Sequence, residues 1–131
     1  MIGGLDGSAF RPLFPGVHEV VQTAFILPLV HRQTSVKVDL ALGLTGFEQN
    51  AIRNATPVSF EDNTVAVVSA EDLILMKTLA ARPRDIDDVA KIVVRQGDAL
   101  NWDYILTTAA ALEQAIGQDL VAPLERLRGD Q

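Results

Sequence analysis

Cysteine is absent from this 131-residue chain, and that single absence removes disulfides, thiolate nucleophiles and cysteine-based zinc or iron–sulfur sites together. A cytosolic (cytoplasmic), non-redox setting is expected. Basic clusters are missing too: eleven Lys and Arg stand singly among seventeen Asp and Glu, for a net charge of −6. No cationic footprint for a phosphate backbone exists, so nucleic acid is not an expected partner. Long apolar runs are also lacking. Residues 20–30 form the longest, but Gln22, Thr23 and Pro28 interrupt it and it is too short to span a bilayer. With no basic region leading into an apolar one at the N-terminus, neither membrane nor secretion is expected. The sequon Asn54-Ala55-Thr56 is then a chance match, because glycosylation needs the secretory route. Low-complexity tracts and internal repeats are absent as well.

What remains is an apolar fraction of 48% against 21% charged residues, the balance of a packed protein. A chain of this length is expected to form one domain, residues 1–131, and to bury roughly two-thirds of the surface its unfolded form exposes. Glycines at 3, 4 and 7 with Pro12, Pro15 and Gly16 predict a loop or arm over residues 1–16. The β-branched and apolar residues within 19–31 predict a strand, with Pro28 marking a bulge or an edge. After a turn at 31–35, Val36, Val38, Leu40 and Leu42 alternate with Lys37, Asp39 and Ala41, the period of an antiparallel partner. A short helix over 45–54 turns Phe47, Ala51 and Ile52 inward. Residues 57–60 and 64–67 flank Glu61-Asp62-Asn63 as a second hairpin.

From residue 68 the pattern is helical. Ser69 with Asp72 three residues on opens a helix with Leu73, Met76 and Ala80 in one row and Leu75 and Leu79 beside it, stopped by Pro83. Ile86, Val89, Ala90 and Val93 mark a helix closed by Gly97, and Ile105, Ala109, Leu112 and Ile116 another closed by Gly117. Leu120, Leu124 and Leu127 mark a last short helix. Strands first and helices after give an α+β fold: a small antiparallel or mixed sheet of two hairpins, about three to five strands, followed by a helical bundle.

Two constellations can carry chemistry. Asp39 lies at the centre of Val38-Asp39-Leu40, where an unpaired charge is costly if buried; it is either a metal ligand or general base, or a carboxylate on the solvent face beside Lys37. Lys77 and Arg82 bracket a helix end and a proline turn, from which both can point at one anion, while Asp85 and Asp88 share a helix face. The alternative is plain helix chemistry, with Asp85 capping the next helix and the acidic residues favouring its positive end. His18 and His31 have no metal-binding spacing and are expected as turn residues. No G-x-S-x-G elbow occurs.

Taken in order, residues 22–31, Val38-Asp39-Leu40, Gly46-Phe47-Glu48, residues 67–73 with Lys77, and residues 81–88 resemble nucleotidyltransferases of the polymerase-β superfamily, of the abortive-infection toxin type. The likeness spans roughly residues 9 to 105. It implies a partial nucleotidyltransferase fold from a mobile-element or toxin–antitoxin setting. By the same resemblance Asp39 is a vestigial third metal-binding carboxylate, Lys77 and Arg82 contact phosphate, and Asp85 and Asp88 line the pocket rim. The family's Gly-Ser and Asp-x-Asp motifs have no counterpart before the first strand, as though the chain begins after the catalytic strand. Two-metal transfer needs several carboxylates, and Asp85-Ile86-Asp87 lies too far downstream to supply them. Three functions follow from the resemblance. The first is a non-catalytic domain that binds a nucleotide or another small anionic ligand, with Mg2+ as a possible companion. The second is a transferase completed by a second chain. The third is a structural homodimer burying more than about 1,200 Å², centred on residues 20–30 or 10–14.

Overall fold

In the computed structural model, which describes residues 2–130, the chain is α+β, with six α-helices and two small antiparallel sheets among those residues. They divide into two units, the first ending at Gly46 and the second beginning at Phe47.

The first unit departs most from expectation. The segment expected as an irregular arm holds a 3-10 turn at Ile2–Leu5 and a short strand, β1 (Phe10–Pro12). The strand expected over 19–31 is two elements, helix α1 (Val17–Ala24) and strand β2 (Ile26–His31), so residues 17–67 hold two helices rather than one. Left-handed residues bracket α1: Gly16 at φ 84° and Phe25 at φ 55°, whose N–H closes on the Val21 carbonyl. The helical turn brings Val17 and Val21 to one face, against Leu27 and Leu29, and Thr23 Oγ1 donates back to the Glu19 carbonyl at 2.8 Å. Packing of that face overrides the strand propensity of a Val-rich run.

Strand β3 (Lys37–Ala41) completes a sheet in the order β1-β2-β3, so β2 is central and Pro28 lies at neither an edge nor a bulge. Leu13 N–H donates to the Pro28 carbonyl at 3.0 Å. The Pro28 nitrogen therefore faces the side of β1, just beyond its last residue, and the missing donor breaks no ladder bond. Phe10 packs on the buried Val17, Leu27 and Leu29 and meets the His31 ring edge-on, centroids 5.3 Å apart. The apolar residues expected at the centre of a dimer are thus largely used inside the chain.

The second unit begins with helix α2 (Gly46–Asn54), counting its first residue from the unit before. Phe47 packs on the core and Ala51 is buried, but Ile52 is exposed, contrary to expectation. Strands β4 (Thr56–Phe60) and β5 (Asn63–Val67) form a hairpin in the register Val58↔Val65. Direct pairing puts Val58, Phe60, Val65 and Val67 on one face and Pro57, Ser59, Thr64 and Ala66 on the other.

Helix α3 (Ala70–Ala80) starts at Ser69, whose Oγ accepts from Asp72 N–H at 3.1 Å, the cap the sequence predicts. Its buried apolar residues are Ile74 and Leu75, while Met76 is exposed. The expected row is displaced because α3 packs on two neighbours, α4 (Pro83–Gln96) and α5 (Trp102–Ile116), which together choose the covered face. Helix α6 (Val121–Gly129) closes the unit. Nine buried apolar side chains, among them Ile74, Leu75, Val93, Ile105 and Leu124, form one core. Among the described residues no helix is long and apolar enough to cross a membrane.

Candidate functional site

Helix α3 ends at Ala81, in the left-handed region at φ 51°, and α4 starts one residue later with Arg82 as its extended N-cap and Pro83 in the first turn. This sharp reversal sets Lys77, on the last turn of α3, against the first two turns of α4. Lys77 Nζ donates to Asp88 Oδ2 at 2.7 Å and to Asp85 Oδ1 at 3.5 Å. Arg82 grips the same Asp85 with two donors, Nε to Oδ2 at 2.5 Å and Nη2 to Oδ1 at 3.2 Å. Asp85 is buried; Arg82 is open to solvent. Both cations do converge on one anion, and that anion is a protein carboxylate.

The electrostatics follow from the contacts. Hydrogen bonding to Arg82 foremost, with Lys77 assisting, holds the Asp85 carboxyl below the usual range. Lys77 foremost does the same for Asp88, and the two carboxylates raise Lys77 and Arg82 in turn. Lys77 and Arg82 are thus each engaged by a protein carboxylate, and Lys91 and Arg84 add to the positive field on Asp88. Two surface cavities of the second unit, of about 430 and 270 Å³, are lined by other residues.

The structure thus brings Lys77, Arg82, Asp85 and Asp88 together. Asp39 belongs to the first unit, on β3, all of whose residues are exposed, and it stands opposite Pro28. It is no buried charge in an apolar strand: all five residues of β3 are exposed, so neither face of the sheet is covered there. His18 lies within α1 and His31 at the end of β2, where Nδ1 meets Thr34 Oγ1 at 2.8 Å. Among the described residues no group of three or more His, Asp or Glu side chains is arranged to hold a metal ion.

No protein-family model matches the chain. Comparison with curated proteins and with solved structures likewise returns no match. The residues themselves are therefore the ground for any functional reading.

Two further polar arrangements were not foreseen. Asp72, fully buried on α3, accepts from Tyr104 Oη at 2.7 Å and from Asn54 Nδ2 at 3.4 Å, tying α2, α3 and α5 together with no cation involved. Burial first, and Asp72 next, push the Tyr104 hydroxyl up. Glu113 Oε2 accepts from the N–H groups of Leu120 and Val121 at 2.9 and 3.1 Å and so caps α6 from α5. Ser69 with Asp72 was legible as a cap, but nothing local pairs residue 72 with 104.

Proposed function

We propose that this chain is a non-catalytic nucleotidyltransferase-like module that acts by association with a second copy of itself. The ordered resemblance supports the family, and the closure of Lys77 and Arg82 on Asp85 and Asp88 supports a non-catalytic role for that cluster. On this reading the Lys77, Arg82, Asp85 and Asp88 cluster is a clamp between α3 and α4, and neither Mg2+ nor a nucleotide is needed.

The observation that carries the reading is the open apolar face of the β4–β5 hairpin. Val58, Phe60, Val65 and Val67 are all exposed, Phe60 at 66%. A lone two-stranded hairpin is marginal in water, and both of its strands are edges that invite pairing. None of the ten strand residues is charged, so nothing there repels another copy of a chain whose net charge is −6. Edge pairing across a two-fold axis gives a four-stranded antiparallel sheet with one continuous apolar face.

Light scattering coupled to size exclusion tests this. The wild type is expected as a dimer at micromolar concentration, and Phe60→Ser as a monomer with unchanged far-ultraviolet circular dichroism. A wild-type monomer overturns the association. Magnesium-dependent incorporation of labelled nucleotide by the isolated chain, lost in Asp39→Asn, overturns the absence of catalysis.

A further inference from the structure

Strand β3 is an edge of the first unit's sheet, and the direction of its backbone groups is fixed by its pairing with β2. His31 N–H donates to the Val36 carbonyl and Leu42 N–H to the Phe25 carbonyl, each at 2.8 Å. In the register Pro28↔Asp39 alternate residues exchange bonds, so Val38 and Leu40 turn their backbone groups to β2. Lys37, Asp39 and Ala41 turn theirs outward, each with an N–H and a carbonyl. The opposite edge is poorer. Leu13 N–H donates to the Pro28 carbonyl, which by the same alternation leaves Phe10 and Pro12 of β1 facing outward, and Pro12 has no N–H to give. Of the two edges of this sheet, β3 is the one equipped to take another strand.

The side chains of β3 say which strand that is. Lys37 and Asp39 share one face, and between residues 33 and 47 they are the only charged side chains. On β2 they stand opposite Val30 and Pro28. Arg11 lies on the same face but beyond β2, on β1, and Arg32 donates to the Ser8 carbonyl at 3.0 Å. No salt bridge engages Lys37 or Asp39 among the described residues. A two-fold axis through Val38 answers both charges at once. It sets Lys37 opposite Asp39 of a second copy, Asp39 opposite its Lys37, and Val36 opposite its Leu40. Both charged pairs then fall at outward-facing positions, so the register that matches charge also closes ladder bonds. An axis moved by one residue, to Lys37 or to Asp39, sets like charges directly opposite each other.

We propose that β3 pairs with β3 of a second copy across a two-fold axis at Val38, joining two three-stranded sheets into one through reciprocal Lys37–Asp39 pairs. This contact is separate from the β4–β5 hairpin, whose uncharged strands offer Lys37 and Asp39 no counter-charge. With five residues a side it is short, a weak contact that adds to the hairpin dimer at high concentration.

Analytical ultracentrifugation of Phe60→Ser, in which the hairpin contact is removed, isolates the β3 contact. That variant is expected to pass from monomer at micromolar concentration to dimer in the hundreds of micromolar. Adding Asp39→Lys sets lysine against lysine and weakens this dimer by about tenfold or more. Combining Lys37→Asp with Asp39→Lys exchanges the two charges and restores it. Lys37 and Asp39 are exposed, so each variant retains its fold, checked by circular dichroism. A Phe60→Ser variant that stays monomeric over the whole range overturns the proposal, as does a dimer indifferent to Asp39→Lys or one that the double reversal fails to restore. A wild type that is monomeric at micromolar concentration, yet dimerises in the hundreds of micromolar unless Asp39→Lys is present, sinks the hairpin reading and leaves the β3 contact standing.

Discussion

Asp85 and Asp72 are the two buried carboxylates among the described residues, and they are held in opposite ways. Asp85 faces two cations, and its pKa, like that of Asp88, lies below the ordinary value. A carboxyl depressed by folding contributes stability that is complete above its unfolded value, about pH 4, and lost as pH falls through the folded value. Urea midpoints should therefore drop from about pH 5 to pH 2, and less steeply in Asp85→Asn plus Asp88→Asn; equal slopes would show the clamp to be idle. Glu113, depressed by the Leu120 and Val121 N–H groups, accounts for a remaining part of the slope. Lys77 and Arg82 are raised by the Asp85 and Asp88 carboxylates, so the ion pairs that fail in acid when the carboxylates are protonated fail again at strongly alkaline pH, when the cations discharge. Asp72 has no cation and depends on Tyr104 and Asn54. Tyr104→Phe deletes the shorter bond and leaves a buried carboxylate underserved, at a cost of about 1–3 kcal/mol in chemical denaturation. A neutral outcome would mean that water replaces the hydroxyl. That residues 77, 82, 85 and 88 meet was legible because they are neighbours across one helix reversal, but that the two cations close on the two carboxylates, and not on an outside anion, was not. The Asp72–Tyr104 pair was not, since its members lie 32 positions apart and meet only through the packing of α3 on α5.

At the scale of elements, legibility followed how locally each boundary is determined. Ser69, Gly97 and Gly117 mark helix ends by their own chemistry, and the structure has α3, α4 and α5 begin or end there. The second hairpin was read to within a residue, because alternation and turn residues suffice. Residues 17–24 were misread because Val17, Val20 and Val21 have the same composition in a strand as in a helix, and only contact with Leu27 and Leu29 decides between them. The end of α3 was also assigned too late, to Pro83, when the turn is made at Ala81, an alanine at φ 51°. L-residues other than glycine pay about 1 kcal/mol or more for that region. Ala81→Gly should consequently stabilise the protein by about 0.5–1 kcal/mol, less the extra freedom glycine has when unfolded. Thermal melting reads the change directly, and a lowered midpoint would show that the methyl group packs more favourably than the backbone is strained.

For the whole molecule, the division at Gly46 and Phe47 separates two cores of unequal size. The second core gathers nine buried apolar side chains from α3 to α6 and the connections between them. The first rests on Val17, Leu27 and Leu29, with Leu5, Phe10 and Val21 packed around them. Domains near or below about 40 residues seldom fold without a disulfide, a metal or a partner, and the first unit has neither cysteine nor, among its described residues, a metal-binding cluster. A fragment of residues 47–131 should therefore show helical circular dichroism and a cooperative thermal transition by itself, while a fragment of residues 1–46 should show neither. The larger fragment keeps the Asp85 clamp, the Asp72–Tyr104 pair and the β4–β5 hairpin, so it should also elute as a dimer if the hairpin is the interface. A disordered 47–131 fragment would mean that its core, though contiguous, does not repay the entropy of ordering 85 residues without the first unit. A folded but monomeric one would instead move the contact surface to the first unit, where Val38 and Leu40 of the edge strand β3, with Val36 just before it, are exposed.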